Sequence, residues 1–271
     1  LIDALSELDA ELIIVKNNSG NAYLPEFNFN NIGDLQAGEG YYLKLTNANN
    51  ATINGTYVTP QENTISLGQG WNLLGYLRVE PADIAAVLFD MTASENLVIA
   101  KDYNGNVYLP EFSFNNIGDM QPGQAYQLKL NNSDVLTYLS NEDSYRLSFT
   151  EVSNNTPYYL ERVAQTDNNM TLVIQDNSWD ILPEEGAEIA AYNKQGVLVG
   201  SAKYTSPMSV LTLWGDDALT EVKDGLESDE LSLFKVCSNK QCTSFEVAKW
   251  YQGSSSYTAN AINIAASITS T

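Results

Sequence analysis

The sequence predicts a mainly β protein in which two tandem β-rich repeats of about 85 residues, each with one short helix, precede an antiparallel β-sandwich. Three observations lead to this fold class: a 34-residue stretch occurs twice, short β-branched and aromatic runs recur, and clusters of Asn, Asp, Gly, Ser and Pro separate those runs. The chain has 271 residues and is 44% hydrophobic. It can therefore bury a core in each of about two domains.

The duplication defines the first half of the chain. Residues 12–45 align without gaps on residues 97–130, with 22 of 34 positions identical. Both copies contain Tyr-Leu-Pro-Glu-Phe-x-Phe-Asn-Asn-Ile-Gly-Asp and then Gln-x-Gly-x-x-Tyr-x-Leu-Lys-Leu. We place the repeats at residues 1–142, with copy 1 at about 1–57 and copy 2 at about 65–142. Because Glu26 and Glu111 are duplicated with the whole motif, they indicate a structural role.

Each copy reads as the same series of elements. An apolar strand at residues 12–16 or 97–101 is followed by a Gly-Asn turn, a Tyr-Leu-Pro strand, a loop and an alternating strand at residues 41–45 or 126–130. A short amphipathic helix precedes each series, at residues 1–8 and 81–89. A strand pair around Gly-Trp-Asn, at residues 65–77, comes before the second helix only. This pattern predicts a processed or excised piece that begins inside its first repeat.

The second half, residues 143–271, predicts one antiparallel sandwich. Its runs are short and rich in β-branched and aromatic residues. The predicted strands cover residues 145–149, 158–163, 171–175, 188–192, 197–204, 209–213, 231–236, 244–250 and 257–264.

The two cysteines flank a polar turn. Cys237 and Cys242 end and begin alternating runs on either side of residues 238–241, which predicts that the thiols face each other across a hairpin and form a disulfide. Free thiols are the alternative. A zinc site is disfavoured, because structural zinc takes four ligands and the chain has no histidine and no third cysteine. A disulfide favours an oxidising, exported setting.

Composition excludes several classes of function. The formal net charge is −21, with 34 acidic and 13 basic residues, so the chain repels nucleic acid and anionic membranes. The absence of histidine removes the usual general base and the usual nucleophile arrangements. Apolar runs of about four residues are far shorter than the roughly 20 that cross a bilayer. We expect no membrane insertion and no enzymatic activity.

The first half resembles the Gly-Trp-Asn repeats of secreted and cell-surface proteins of bacteria and archaea. The similarity rests on Gly-Gln-Gly-Trp-Asn-Leu-Leu-Gly-Tyr at residues 68–76, the helix after it, and Gln-Pro-Gly-Gln-x-Tyr-x-Leu-Lys-Leu at residues 121–130. The second half is similar, through residues 184–200 and 213–217, to a β-domain of large exported proteins of Bacteroidota, often sent out by the type IX system. The resemblance implies an extracellular, modular protein. It brings no functional residues with it.

One acidic segment is a candidate cation site. Asp216, Asp217, Glu221 and Asp224 lie within nine residues of each other, and calcium takes six to eight oxygen ligands. The spacing matches no strict calcium loop, so a solvated acidic loop is the favoured interpretation and a weak calcium site is the alternative. Calcium is therefore the one cofactor that the sequence suggests.

The aromatic residues offer a second candidate site. Trp179, between polar neighbours, and Trp250 with Tyr251 are expected at the surface, where rings would stack on the apolar faces of sugars. Trp71 and Trp214 lie in predicted strands and are expected in cores. A glycosidase pair would need a second carboxylate across a cleft from Glu184, Glu185 or Glu188, and the sequence shows none.

These observations predict a non-catalytic extracellular module of a larger bacterial surface protein, acting in adhesion or as a structural, fibre-forming component. Its expected partners are a cell-surface or extracellular protein or glycan, or further copies of such modules through exposed sheet edges. The alternative is a carbohydrate-binding module of an exported polysaccharide-degrading system.

Overall fold

Strands dominate the structure, a computed structural model that describes residues 1–56, 58–142, 163–238 and 241–270. It contains 44% strand and 11% helix, so the predicted mainly β class is confirmed. The chain divides into two compact units, residues 1–153 and 154–271. The predicted boundary at residues 142 and 143 borders a stretch outside the described residues and stays a prediction. Nearly all of the first two predicted strands of the second half lie in that same stretch.

The strands of the first unit are short and follow the two repeats in order. Within the described residues they are β1 (Leu12–Asn17), β2 (Ala22–Leu24), β3 (Phe29–Asn30), β4 (Tyr41–Leu45), β5 (Thr64–Leu67), β6 (Gly70–Gly75), β7 (Ala82–Asp83), β8 (Leu97–Lys101), β9 (Val107–Leu109), β10 (Phe114–Asn115), β11 (Asp119–Met120), β12 (Ala125–Leu130) and β13 (Asp134–Thr137).

The duplicated sequences fold alike. In the first repeat the strands pair in the order β3-β2-β1-β4, and in the second in the order β10-β9-β8-β12-β6. The register is also repeated, since Val15 pairs with Leu43 in the first repeat and Ala100 with Leu128 in the second. The second repeat has one additional strand in its main sheet, β6, which carries the Gly-Trp-Asn sequence. Two small ladders, β5 with β13 and β7 with β11, complete the unit.

Short helices cover one face of each sheet, as the apolar spacing predicts. The first is α1 (Ile2–Leu5), continued by a 3₁₀ turn, and the second repeat has α2 (Ile84–Val87) and α3 (Phe89–Ala93). Asp83 caps α2, because its Oδ1 accepts hydrogen bonds from the backbone N–H groups of Ala85 and Ala86 at 2.7 and 3.3 Å. The side chains of both helical segments complete the cores beneath them.

The core of the second repeat is the larger of the two. It includes Leu74 and Tyr76 around β6 and Tyr138 after β13, all buried. The rings of Tyr76 and Tyr138 meet edge to face at 5.3 Å, and the Tyr138 hydroxyl donates to the Gly75 carbonyl at 2.9 Å. The first repeat buries a smaller set around Val15 and Tyr23. The additional residues of the second core include members of the Gly-Trp-Asn hairpin and of the chain that follows β12.

The second unit forms one seven-stranded sheet within its described residues. Its strands are β14 (Asn169–Gln175), β15 (Glu188–Tyr192), β16 (Leu198–Lys203), β17 (Met208–Trp214), β18 (Leu233–Ser238), β19 (Gln241–Gln252) and β20 (Ile262–Ser270).

This sheet is nearly closed on itself. Its order is β16-β15-β18-β19-β20-β14-β17, every pair is antiparallel except β14 with β20, and the two edge strands β16 and β17 approach each other. The strands of the predicted sandwich domain thus form one continuous, curved sheet around a single core. Gly200 permits the closure, because a Cβ there would lie 2.6 Å from the carbonyl oxygen of Thr212 on β17.

Candidate functional site

The two repeats of the first unit are joined by backbone hydrogen bonds. The segment 38–40, just before β4, lies along the edge of β6 that faces away from β12. Gly40 N–H donates to Leu73 O at 3.0 Å, Gly75 N–H donates to Gly38 O at 2.9 Å, and Glu39 bridges to Leu74. The first repeat thereby extends the sheet edge of the second. We call these contacts the inter-repeat joint.

Glycine is required at the joint because the two backbones lie so close. A Cβ on Gly75 would lie 2.6 Å from the carbonyl oxygen of Glu39, and a Cβ on Gly40 would lie 2.7 Å from Leu73 Cγ. Real Cβ atoms do not approach backbone atoms that closely, so a side chain at Gly75 would separate the repeats. Sequence reasoning missed this function of Gly40. The available signal was that Gly38-Glu39-Gly40 of the first repeat becomes Gly123-Gln124-Ala125 in the second.

Glu39 is held beside the joint by its neighbours. Its carboxylate accepts hydrogen bonds from Asn17 Nδ2 at 3.0 Å and from the Tyr41 hydroxyl at 2.6 Å. Burial, and secondarily the hydrogen bond to Glu39, raise the pKa of Tyr41 to about 12. In the second repeat an amide replaces the carboxylate, and the Tyr126 hydroxyl donates to Gln124 Oε1 at 3.0 Å. Of the two repeats, the first therefore has a carboxyl group at this position where the second has an amide.

A cleft of about 370 Å³ opens beside the joint. Its walls come from the first hairpin loop, the segment before β4, and strands β5 and β6. The polar side chains that line it are amides, hydroxyls and one carboxylate, namely Asn18, Ser19, Gln36, Glu39, Asn63, Thr64, Ser66 and Asn72. No basic side chain is among the described residues of this lining. Such a lining suits an uncharged, hydroxyl-rich ligand and repels anions.

The ammonium groups of two lysines lie close to the aromatic ring of Trp71. Lys101 Nζ lies 5.0 Å and Lys129 Nζ 5.7 Å from the centre of the ring, which is the geometry of cation–π attraction. Lys101 is only 1% exposed. Its burial, with a smaller contribution from the charge of Lys129, lowers the pKa of Lys101 to about 7. Trp71, expected in a core, is half-buried and covers these lysines.

The carboxylates of the acidic segment in the second unit bond mainly to the backbone of their own loop, and a calcium site there stays a prediction. Asp216 Oδ1 accepts from the N–H groups of Asp224 and Gly225 at 2.9 and 3.2 Å, and Asp224 Oδ1 accepts from Asp217 N–H at 3.0 Å. Glu221 lies at the exposed surface of the loop. Asp217 Oδ1 likewise accepts a hydrogen bond from Leu219 N–H at 2.9 Å. Three of the four predicted ligands, all except Glu221, thus bond to backbone N–H groups of their own loop. No group of three or more His, Cys, Asp or Glu within the described part of the chain is placed to hold a metal ion.

Of the three aromatic rings expected at the surface, Trp179 is corrected, because it lies in the core. Trp179 is 9% exposed and packs edge to face against Tyr204 and Phe245, with ring centres 6.5 and 4.9 Å away. Trp250 is half-buried against the same core. Tyr251 is 68% exposed. Because Trp179 is buried, the three rings do not form one exposed surface, and Tyr251 is the most exposed of them.

The predicted disulfide is confirmed. Cys237 and Cys242 are directly opposite each other in the β18–β19 hairpin and are bonded, with their Cα atoms 4.0 Å apart. Within the hairpin the bond fixes the register of β19, the longest strand of the second unit.

Replacing both cysteines by alanine is expected to lower the free energy of unfolding of the second unit by about 2 kcal/mol, because the cross-link closes a short loop in the unfolded chain. Urea unfolding followed by tryptophan fluorescence measures this, since Trp179, Trp214 and Trp250 all lie in that unit. Reduced wild-type protein is the control and should match the double variant. Equal stability of oxidised and reduced protein would contradict the expectation.

Among the described residues, none of the helices has the length and hydropathy that a membrane crossing requires. Comparison of the chain with known protein families, with characterised proteins and with solved structures found no match.

Proposed function

We propose that this chain is a non-catalytic extracellular module of a larger bacterial surface protein, related to the Gly-Trp-Asn-repeat and exported β-domain proteins that its sequence resembles. It acts in adhesion or as a structural, fibre-forming component. The observation that carries this proposal is the inter-repeat joint, because backbone hydrogen bonds between Gly38–Gly40 and β6 dock one repeat onto the next. Repeats that add to each other's sheet edges are suited to building extended, rigid arrays.

Further features support the same function. The first repeat exposes large apolar side chains that a partner could cover, with Phe27, Phe29 and Ile53 at 70%, 47% and 55% exposure. The disulfide favours an oxidising compartment. The net charge of −21 favours solubility and disfavours nucleic acid as a partner.

Two experiments test the proposal, one of localisation and one of adhesion. Antibodies against the chain should label intact, unpermeabilised source cells. In the second experiment, the purified chain carrying a label should bind to extracellular proteins, glycans or cell surfaces in a panel, or assemble into ordered oligomers. Gly75→Ala, which forces the joint apart, should reduce binding or assembly at least tenfold, while Gly68→Ala should not. Labelling only after permeabilisation, or a monomer that binds no surface in the panel, would overturn the proposal.

A carbohydrate-binding module is the second candidate function, and the cleft beside the joint is the observation that favours it. Amides and hydroxyls around Glu39 match the donors and acceptors of sugar hydroxyls. A glycan array with millimolar calcium, and again with chelator, tests this function. Ser66→Tyr, which fills the cleft from exposed strand β5, should abolish binding at the cleft, while Tyr251→Ala should abolish binding at the exposed ring. Binding unaffected by either variant would reject both candidate sugar sites.

A further inference from the structure

The matching strands of the two repeats have different neighbours. In the second repeat β12 lies between β8 and β6, and all six of its residues, Ala125 to Leu130, pair with β6. In the first repeat the corresponding strand, β4, pairs with β1 and is the edge of its sheet as the described residues form it. The second repeat thus shows, within the same chain, which kind of strand fits the outer edge of β4.

The backbone groups at that edge can be assigned. Thr46 N–H donates to Glu11 O at 2.8 Å, across β4 and β1. Because hydrogen bonding in an antiparallel strand alternates from residue to residue, Tyr41, Leu43 and Leu45 direct their N–H and C=O groups to the outer edge. The same alternation operates in the second repeat, where Tyr76 N–H donates to Gln124 O at 3.0 Å. The outer edge of β4 is thus in the correct phase for a strand placed like β6.

The exposure of its side chains shows that the core of the first repeat is incompletely covered beside β4. Leu43 is 43% exposed, whereas its counterpart Leu128 is completely buried. Tyr41 is half-buried, whereas Tyr126 is 1% exposed. Leu43 lies on the same face of β4 as Tyr41, which packs against the small core of the first repeat. Leu43, an apolar residue on the core-facing side of β4, is therefore not covered by any of the described residues.

The two repeats also differ in the chain that follows β4 and β12. In the second repeat β13 pairs with β5, the strand just before β6. The counterparts of β13, residues 49–52, form no strand, and Ile53 is 55% exposed whereas Tyr138 is 1% exposed. Both differences lie where the second repeat carries the hairpin β5–β6, whose two strands pair with β13 and β12.

We propose that the outer edge of β4 and the adjoining residues 49–53 are an acceptor site for a β-hairpin of the Thr64–Gly75 type, supplied by a separate polypeptide segment of that sequence pattern. One strand of the incoming hairpin would pair with β4 as β6 pairs with β12. It would lie opposite Tyr41, Leu43 and Leu45. This site goes beyond the proposed function, because it operates whether the chain adheres, forms fibres or binds sugar.

The chemistry of the occupant follows from the hairpin already present. Residues 64–75 carry no charged side chain, so they are not repelled by an acidic chain. They supply Leu67 and Leu74 to the core of the second repeat. The chain's own hairpin cannot serve, because β5 is paired with β13, and β6 with both β12 and the joint. The occupant must therefore be an additional hairpin with an apolar, uncharged Gly-Trp-Asn pattern.

The test is binding of a synthetic peptide to the full chain. A fluorescein-labelled peptide of residues 63–77 is titrated with the 271-residue protein and followed by fluorescence anisotropy. The control peptide has proline in place of Asn72 and Leu74, whose N–H groups face β12 in the second repeat. Saturable binding of the first peptide, at least tenfold tighter than of the control, is expected, with slowed amide exchange at Leu43 and Leu45.

Variants of the protein locate the binding. Leu43→Pro removes an outward N–H without removing a bond to β1, and Leu43→Lys keeps the backbone intact but places a charge at the edge. Each should weaken peptide binding at least tenfold. Phe29→Lys, at the opposite edge of the same sheet, is the matched control and should bind as wild type. Equal binding by the Leu43 variants, or no binding by the wild type, would overturn the proposal.

Sedimentation velocity on the same samples addresses the other possible occupant. A chain that remains monomeric without peptide supports a hairpin acceptor. A dimer that Leu43→Pro dissociates, and that excess peptide does not, would overturn the proposal in favour of a second copy at this edge.

Discussion

Gly75→Ala is expected to lower the free energy of unfolding of the repeat unit by about 2–3 kcal/mol. The added Cβ would lie 2.6 Å from the Glu39 carbonyl oxygen, and overpacking against backbone cannot be relieved by a side-chain rotation. The joint must open, which breaks the bonds from Gly75 N–H to Gly38 O and from Gly40 N–H to Leu73 O. Hydrogen exchange followed by mass spectrometry measures the loss as faster exchange in peptides that span residues 38–40 and β6.

Gly68→Ala is the matched control, because it adds the same single carbon in the same hairpin. A Cβ at Gly68 would have only Asn72 Oδ1 near it, at an ordinary 3.8 Å. We expect a change of about 0.5 kcal/mol or less. Equal effects of the two substitutions would show that the loss arises from glycine replacement in the hairpin itself, which contradicts a tight inter-repeat joint.

Lys101→Met is expected to stabilise the repeat unit by about 2–4 kcal/mol at pH 7. The pKa of Lys101 falls to about 7 in the fold, against 10.5 for the free side chain, and each pKa unit corresponds to about 1.4 kcal/mol. Methionine retains the apolar stem and loses the polar contacts of the ammonium group, of which the attraction to Trp71 contributes about 1 kcal/mol. The unfolding free energy of both proteins, measured in urea from pH 6 to 9.5, gives the difference.

The same substitution should change the pH dependence. Between pH 7 and 10.5 the unfolded chain holds the Lys101 proton and the folded chain does not, so the stability of the wild type rises with pH relative to the variant. The destabilisation of the wild type by the buried charge of Lys101 is fully present below pH 7. Burial raises the pKa of Tyr126 to about 12. Near pH 10 such tyrosines ionise in the unfolded chain but not in the folded one, which lowers stability. The measurements therefore stop at pH 9.5.

Lys129→Met is the control for the lysine beside the same ring. Lys129 is half-buried, not fully buried, so its removal should leave the pH-dependent rise of the wild type in place. Parallel pH curves for wild type and Lys101→Met would contradict a buried Lys101 with a lowered pKa.

Local sequence was sufficient for much of the fold. The Gly-Asn turns, the Tyr-Leu-Pro strands and the hairpin of Cys237 and Cys242 depend on residues close together in the chain, and each was correctly predicted. Seven of the nine strands predicted for the second half fall in the described ranges and appear there as strands. The last begins at Ile262 and not at residue 257, because Tyr257 is buried in the preceding loop.

The candidate sites were much less predictable. Trp179 has polar neighbours in sequence, yet it lies in the core because Phe245 and Tyr204, far away in the chain, pack against it. The carboxylates of Asp216 and Asp224 are close in sequence, yet they face backbone N–H groups of their own loop. Composition around a residue indicates its chemistry, but its accessibility depends on partners that sequence spacing does not identify.

The sequence by itself determined that the chain is mainly β, that its first half is duplicated, and that its two cysteines are paired, because repetition, alternation and turn residues act over short distances along the chain. Only the tertiary structure decided that Gly75 and Gly40 join the repeats, that Lys101 lies buried beneath Trp71, that the second unit closes into one sheet, and that β4 keeps an open edge. Alternation shows which face of a strand is apolar. Which strand lies beside it, and how closely, is decided by long-range packing.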